Sequence, residues 1–277
     1  MHWGYWPEPA AAPAVAAAGA AGGVSDAVAA DYARAAEALT QLLLERAALQ
    51  SGDRVLDVGC GFGGTIASLN EVGLPLTLTG LNIDPRQLER ARARVQPRPG
   101  NTIHWIEGDA GALPLEDASQ DVVLAVECIF HFPSRAAFLA EARRVLRPGG
   151  RLVLSDFVPM APLAWLLRLQ GQGGAVHNAT YGRVNCSWDR RRYARQASRL
   201  GLTLTSDADI TRATLPTYPV VRQLFAGLGA EQAVRDTARI EQLSRRGWLR
   251  YRVFSFKKGA NVVVTSAPSL ASSRRER

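Results

Sequence analysis

Between Val55 and Gly64 the chain reads VLDVGCGFGG, in which apolar residues lead into a carboxylate, Asp57, and then into Gly59, Gly61, Gly63 and Gly64. Glycines at this density let a backbone turn tightly and let a ligand approach the peptide groups. Asp57 stands two residues before the first glycine, at a strand end. A carboxylate there crowds a pyrophosphate and suits a ligand that carries an ammonium group, which disfavours a dinucleotide. Metal chemistry has little support. Cys60, Cys128 and Cys186 are widely spaced and the four histidines are unpaired. Neither a disulfide framework nor a Mg²⁺ or Zn²⁺ centre is therefore expected, and the cysteine usage fits a reducing, cytoplasmic setting.

The elements that must position this loop are legible from apolar spacing. SDAVAADYARAAEALTQLLLERAAL is helical, with Ser25 and Asp26 as its cap. Strands are expected at Val55–Val58, Leu76–Asp84, DVVLAVECIF and RLVLSDFV. Helices are expected between them: Thr65–Val72, PRQLERARARV with Pro85 in the first turn, and RAAFLAEARRVL, stopped by RPGG. Such alternation demands parallel pairing, because tight hairpin turns are missing until late in the chain. The expected fold is α/β: a doubly wound, Rossmann-like, mostly parallel sheet with YRVFSFKK as a late antiparallel strand and a helical cap over the strand ends. In such sheets ligands bind beyond the carboxyl ends of the strands. Residues 1–24 read as an aromatic arm and an Ala/Gly-rich tether, 25–265 as a single domain with its cap at about 159–188 and 212–247, and 266–277 as a disordered basic tail.

Composition narrows the partners. The 277 residues are 47% hydrophobic and 21% charged, with a net charge of +8. The positive charge is nearly all Arg, in scattered pairs such as Arg143–Arg144 and Arg245–Arg246 rather than on one face interleaved with aromatics. A nucleic-acid partner is not expected on that pattern, whereas an anionic small substrate stays open. No run approaches eighteen strongly apolar residues, so no membrane partner is expected either. Monomer and homodimer both remain open.

At this point a resemblance becomes specific. VLDVGCGFGG is similar to the first motif of the class I S-adenosylmethionine-dependent methyltransferases, and GLNIDPRQ, EGDAGALPLEDASQDVVLAVECIFHF and RVLRPGGRLVLSDF follow in that family's order. The similarity is strong over residues 50–157 and closest to small-molecule members resembling tocopherol and sterol methyltransferases. It implies S-adenosyl-L-methionine as cofactor, with S-adenosyl-L-homocysteine as product. Asp57, Gly59 and Gly61 would then hold the methionine moiety. Asn82, beside Ile83, stands where many members carry an acidic residue for the ribose, with Gln87 or Asp84 for a second contact. Asp109, beside Ala110, would accept from the adenine amino group, with a helix cap as its other reading, and Glu127 and Cys128 would lie beside the cofactor.

The same resemblance brings His131, in CIFHFPSR, to the edge where methyl donor and acceptor meet. There an imidazole either takes a proton from the acceptor or only lines the pocket. Asp156, at the end of the fifth strand, is the candidate to orient that ring or touch the substrate. His177, Tyr181 and Trp188 are candidate substrate contacts in the insertion. HWGYW resembles an aromatic segment found in these relatives, so Trp3, Tyr5 and Trp6 are expected to close over cofactor and acceptor, since a sulfonium cation is drawn to aromatic faces. The implied activity is methyl transfer to a small natural-product acceptor, with oxygen slightly favoured. Nitrogen or carbon (prenyl acceptors included) remain alternatives, as does a protein of this fold that binds the cofactor without methylating.

Overall fold

The computed structural model describes residues 3–12, 24–169, 175–178 and 180–259. The tether from residue 13 to 23 and the expected tail lie outside the described residues. Nearly all the described strands join one sheet in the order β3-β2-β1-β4-β5-β9-β8. Its first five members, β1 (Arg54–Val58), β2 (Thr77–Asn82), β3 (Thr102–Glu107), β4 (Gln120–Ala125) and β5 (Leu146–Pro159), pair in parallel. β9 (Leu249–Lys258) runs antiparallel between β5 and the edge strand β8 (Leu202–Asp209). The doubly wound sheet and its late antiparallel strand match the sequence pattern.

The central strands are apolar on both faces because both are covered. In β1, Val55 packs into one core cluster, with Leu43, Ile66 and Leu124. Leu56 and Val58 pack into the other, with Val123, Phe138 and Leu154. All six residues of β4 are buried. The covering helices are α1 (Asp26–Ala47), α2 (Gly64–Asn70), α3 (Pro85–Arg94), α4 (Arg135–Val145), α5 (Ala161–Leu169), α6 (Arg190–Arg199), α7 (Thr211–Thr214), α8 (Thr217–Gly227) and α9 (Glu231–Arg245). Several start on side-chain caps: Ser134 accepts from Ala137 N–H at 3.1 Å, and Asp189 from Arg192 N–H at 2.7 Å.

Two places depart from the sequence expectation. The cap segment at about 159–188, expected as part of a helical cap, contains a separate antiparallel hairpin, β6 (Ala175–Asn178) with β7 (Gly182–Asn185). Its four-residue strands, AVHN and GRVN, are too short to show a period of two. The N-terminal arm, expected as a lid over ligand, is built into the protein. Tyr5 N–H donates to Ala35 O and Trp6 N–H to Ala213 O, both at 2.8 Å. Thr217 Oγ1 accepts from Gly4 N–H (3.1 Å) and Trp6 Nε1–H (3.0 Å) and donates to Gly4 O (3.1 Å). A Cβ on Gly4 would lie 2.8 Å from that hydroxyl, so only glycine allows the approach.

Candidate functional site

The order of the sheet reverses at β1, between β2 and β4, and the carboxyl ends of these strands open into a cavity of about 550 Å³. That size is within the range of small-molecule sites. The glycine loop after β1 forms its floor. Gly59 has φ of 73°, and a Cβ there would lie 2.6 Å from Cβ of Cys128, so the loop and the residue after β4 meet only because position 59 has no side chain. The amides of Gly59 and Cys60 donate to Leu81 O at 2.8 and 3.0 Å, which ties the loop to β2. Cys128 Sγ donates to Val58 O at 3.0 Å, and burial followed by the nearby Asp57 charge pushes its thiol up, so it stays protonated. Asp57 itself is buried behind the loop and is not part of the cavity wall.

On the β2 side, Asn82 Nδ2 donates to Gln87 Oε1 at 2.9 Å, and both line the cavity. The two amides named from sequence for a ribose are thus brought together. Asp84 is excluded from that role: it caps α3 by accepting from Arg86 N–H (3.0 Å) and pairs with the Arg86 guanidinium, whose hydrogen bond holds its carboxyl below its ordinary range. Ile83 projects at the rim, 71% exposed. Asp109 Oδ1 accepts from Gly111 N–H at 2.8 Å, forming a turn rather than a helix cap, and both Asp109 and Ala110 line the cavity.

Across from β2, Glu127 and His131 line the cavity on the segment that follows β4. His131 ends a short 3₁₀ turn, is exposed, and has Nδ1 3.3 Å from Arg183 O in β7. A carbonyl oxygen only accepts, so Nδ1 is the donor in this contact, and in the neutral ring the lone pair is then on Nε2.

Several residues named from sequence stand elsewhere. Asp156 does not line the cavity or orient His131. It is fully buried, its carboxylate gripped by Arg135 (Nε 2.8 Å, Nη2 3.1 Å) and by the Tyr193 hydroxyl. Burial and then the Asp156 charge push the Tyr193 phenol well up, so it remains a donor. Trp188 is a core residue, edge-on to Tyr193 and covered by Arg192. Tyr181 donates to or accepts from Thr237 Oγ1 at 2.6 Å and packs on Phe225, outside the cavity wall. The backbone of His177 pairs with Arg183, while its side chain lies outside the described residues. Tyr5 and Trp6 line a separate groove with Asp31 and Arg34, and Trp3 is 8% exposed, with its ring on Phe157 and Tyr218. Conversely, Phe62, Arg94, Phe132 and Pro133 line the cavity without having been singled out. Phe62 lies inside the glycine loop and Phe132 beside His131, so proximity to those motifs was the available signal; Arg94 offered none.

The donor set fits S-adenosylmethionine. The paired amides suit vicinal hydroxyls, Asp109 with the Ala110 amide suits an aminopurine edge, Ile83 and Phe62 offer apolar surface, and the bare backbone at Gly59–Gly61 admits a close ligand. Among the described residues no cluster of three His, Cys, Asp or Glu side chains is placed to hold a metal, and no helix is long and apolar enough to cross a membrane.

Comparison with known proteins finds methyltransferases. The family described as Methyltransferase domain matches residues 56–154. The chain is 32% identical over 227 residues to the methyltransferase GfsG of Streptomyces halstedii, covering 81% of this chain and 73% of that protein. It is 34% identical over 234 residues to the 27-O-demethylrifamycin SV methyltransferase of Amycolatopsis mediterranei, covering 83% and 82%. Among solved structures, the geranyl diphosphate C-methyltransferase of Streptomyces coelicolor shares the fold, with a TM-score of 0.71 at 19% identity over 93% of this chain and 91% of that one.

Proposed function

The chain belongs to the S-adenosylmethionine-dependent methyltransferases, and from that premise we propose that it methylates a hydroxyl of a small natural product, with His131 as the general base. The observation that carries the choice of oxygen is the 3.3 Å contact of His131 Nδ1 with Arg183 O at a residue that lines the cavity: in a neutral ring that donates there, Nε2 is the proton acceptor. A hydroxyl is a poor nucleophile until its proton leaves, and a positioned base contributes about 10²–10⁴-fold. The relative that acts on 27-O-demethylrifamycin SV supports an oxygen acceptor and a natural-product role.

Bound S-adenosylmethionine supplies a methyl group on a sulfonium sulfur. The chain's own residues do the rest. Asn82 and Gln87 present an amide acceptor and an amide donor to the ribose hydroxyls, and Asp109 with the Ala110 amide holds the purine edge. The glycine loop lets the backbone approach the methionine end, with Asp57 buried behind it. Phe132 and Pro133 help to exclude water at the wall beside His131. Holding the acceptor in line with the methyl group is worth about 7–11 kcal/mol in well-oriented systems.

A second reading, carbon methylation, draws on Phe132, which lines the cavity beside His131, since an aromatic face there would stabilise a carbocation. The experiment is a screen of polyketide hydroxyls, phenols, amines and prenyl acceptors, with wild type and His131→Ala. Oxygen methylation, with kcat lowered about 10²–10⁴-fold in the variant and S-adenosylhomocysteine affinity within about threefold, is expected. A C-methylated product, or an unchanged kcat, would overturn the proposal.

A further inference from the structure

Glu127, expected from sequence to lie beside the cofactor, lines the cavity, and its surroundings also tie it to the N-terminal arm. Its backbone is left-handed, with φ of 54°, and its N–H donates to Ser155 Oγ at 3.0 Å. One carboxylate oxygen accepts from the Tyr251 hydroxyl at 2.7 Å; the other accepts from the backbone N–H of Trp3. The end of β4, β5, β9 and the N-terminal arm therefore meet at one residue, with β9 and the arm on its carboxylate, and that residue also forms part of the cavity wall. Two donors from distant parts of the chain on one carboxyl group make this a defined seat for the arm.

From that seat a run of ring contacts leads to the proposed base. The Trp3 indole is edge-on to Phe157 (centroids 5.7 Å apart), Phe157 is edge-on to Phe130 (5.7 Å), and Phe130 lies 4.4 Å from the His131 ring. Edge-to-face rings have a narrow range of favourable geometries, so the position of the first constrains the next. Thr217 anchors Gly4 and Trp6 separately, which leaves Trp3 as the point where the arm touches the cavity wall.

We propose that Glu127 is a positioning residue: its carboxylate seats Trp3, and through Phe157 and Phe130 the arm fixes the acceptor-side wall beside His131. Only the identification of that wall as the acceptor's rests on the methyltransferase reading. The acceptor class it fits is one with an apolar body next to the reacting hydroxyl, able to lie against Phe132 beside His131.

The test uses the full chain with Glu127→Gln and Glu127→Ala, read by hydrogen–deuterium exchange of the peptide covering residues 3–7 and by calorimetric titration with S-adenosylhomocysteine. Gln keeps one oxygen able to accept from Trp3 N–H, so exchange of the arm is expected to rise in the order wild type, Gln, Ala, reaching about tenfold in Ala. Peptides from β1 to β4 should keep their protection. Unchanged arm exchange overturns the proposal, as does a general rise over the whole chain. If neither variant folds, Tyr251→Phe removes one of the two donors that hold the carboxylate, and arm exchange at the wild-type rate in that variant also overturns it. Failure of wild type to bind S-adenosylhomocysteine would count against the methyltransferase reading, while the arm exchange would still decide the role of Glu127.

Discussion

At the scale of single residues, the site depends on positions where the side chain is absent or its partner is fixed. Gly59→Ala puts a Cβ 2.6 Å from Cys128 in a left-handed backbone. The strain alone costs about 1–3 kcal/mol, before the loop shifts to relieve the contact. A lower urea midpoint together with weakened S-adenosylhomocysteine binding is expected, because the same loop is the cavity floor. An unchanged midpoint would show that Cys128 yields freely. The sequence made this loop legible, and also the Asn82–Gln87 pair, because both follow from local chain geometry: a strand end, and a helix that begins three residues later. Asp156 was not legible. Its place at the end of β5 matches a catalytic carboxylate, but whether it faces the cavity or a buried cation is decided by Arg135, 21 residues away.

At the scale of elements, that buried pair is a joint. Arg135 opens α4, Asp156 lies near the end of β5 and Tyr193 is on α6, so three elements are bound at one point where no water reaches. Removing one partner leaves the other charge buried. Asp156→Asn is expected to cost about 3–5 kcal/mol in chemical unfolding, whereas the double replacement Arg135→Met with Asp156→Leu should cost markedly less, since it removes both charges and keeps the volume. A double variant as unstable as the single one would mean that the pair contributes more than the penalty of breaking it. Among the elements themselves, the long apolar strands could be read without the structure, because burial on both faces writes a continuous apolar run. The hairpin β6–β7 could not, because its polar, four-residue strands follow no period.

At the scale of the whole molecule, the arm links the start of the chain to its last third. The aromatics of HWGYW were conspicuous in the sequence, yet their packing was not, because the hydroxyl that organises them is at position 217 and nothing local marks it. Thr217→Val keeps the shape and removes an oxygen that makes three hydrogen bonds to the arm, leaving Gly4 N–H, Gly4 O and Trp6 Nε1–H without that partner. A loss of about 1–3 kcal/mol is expected for each buried polar group left unsatisfied, visible as a fall in Tm. If Tm holds, the arm is not part of the cooperative fold.

The antiparallel strand set between β5 and β8 also gives the protein a history. β8 has no neighbour to join until β9 exists, and β9 ends at Lys258, roughly 50 residues after β8 leaves the ribosome, a delay of about 2–10 s at ordinary rates of synthesis. During that interval the nascent chain carries an unpaired β5 edge, the kind of edge that invites pairing with other chains. The aromatic residues of the arm wait as well, since Thr217 and Tyr251 follow them by more than 200 residues. The arm and the β5–β9–β8 side of the sheet thus become structured in the same late step.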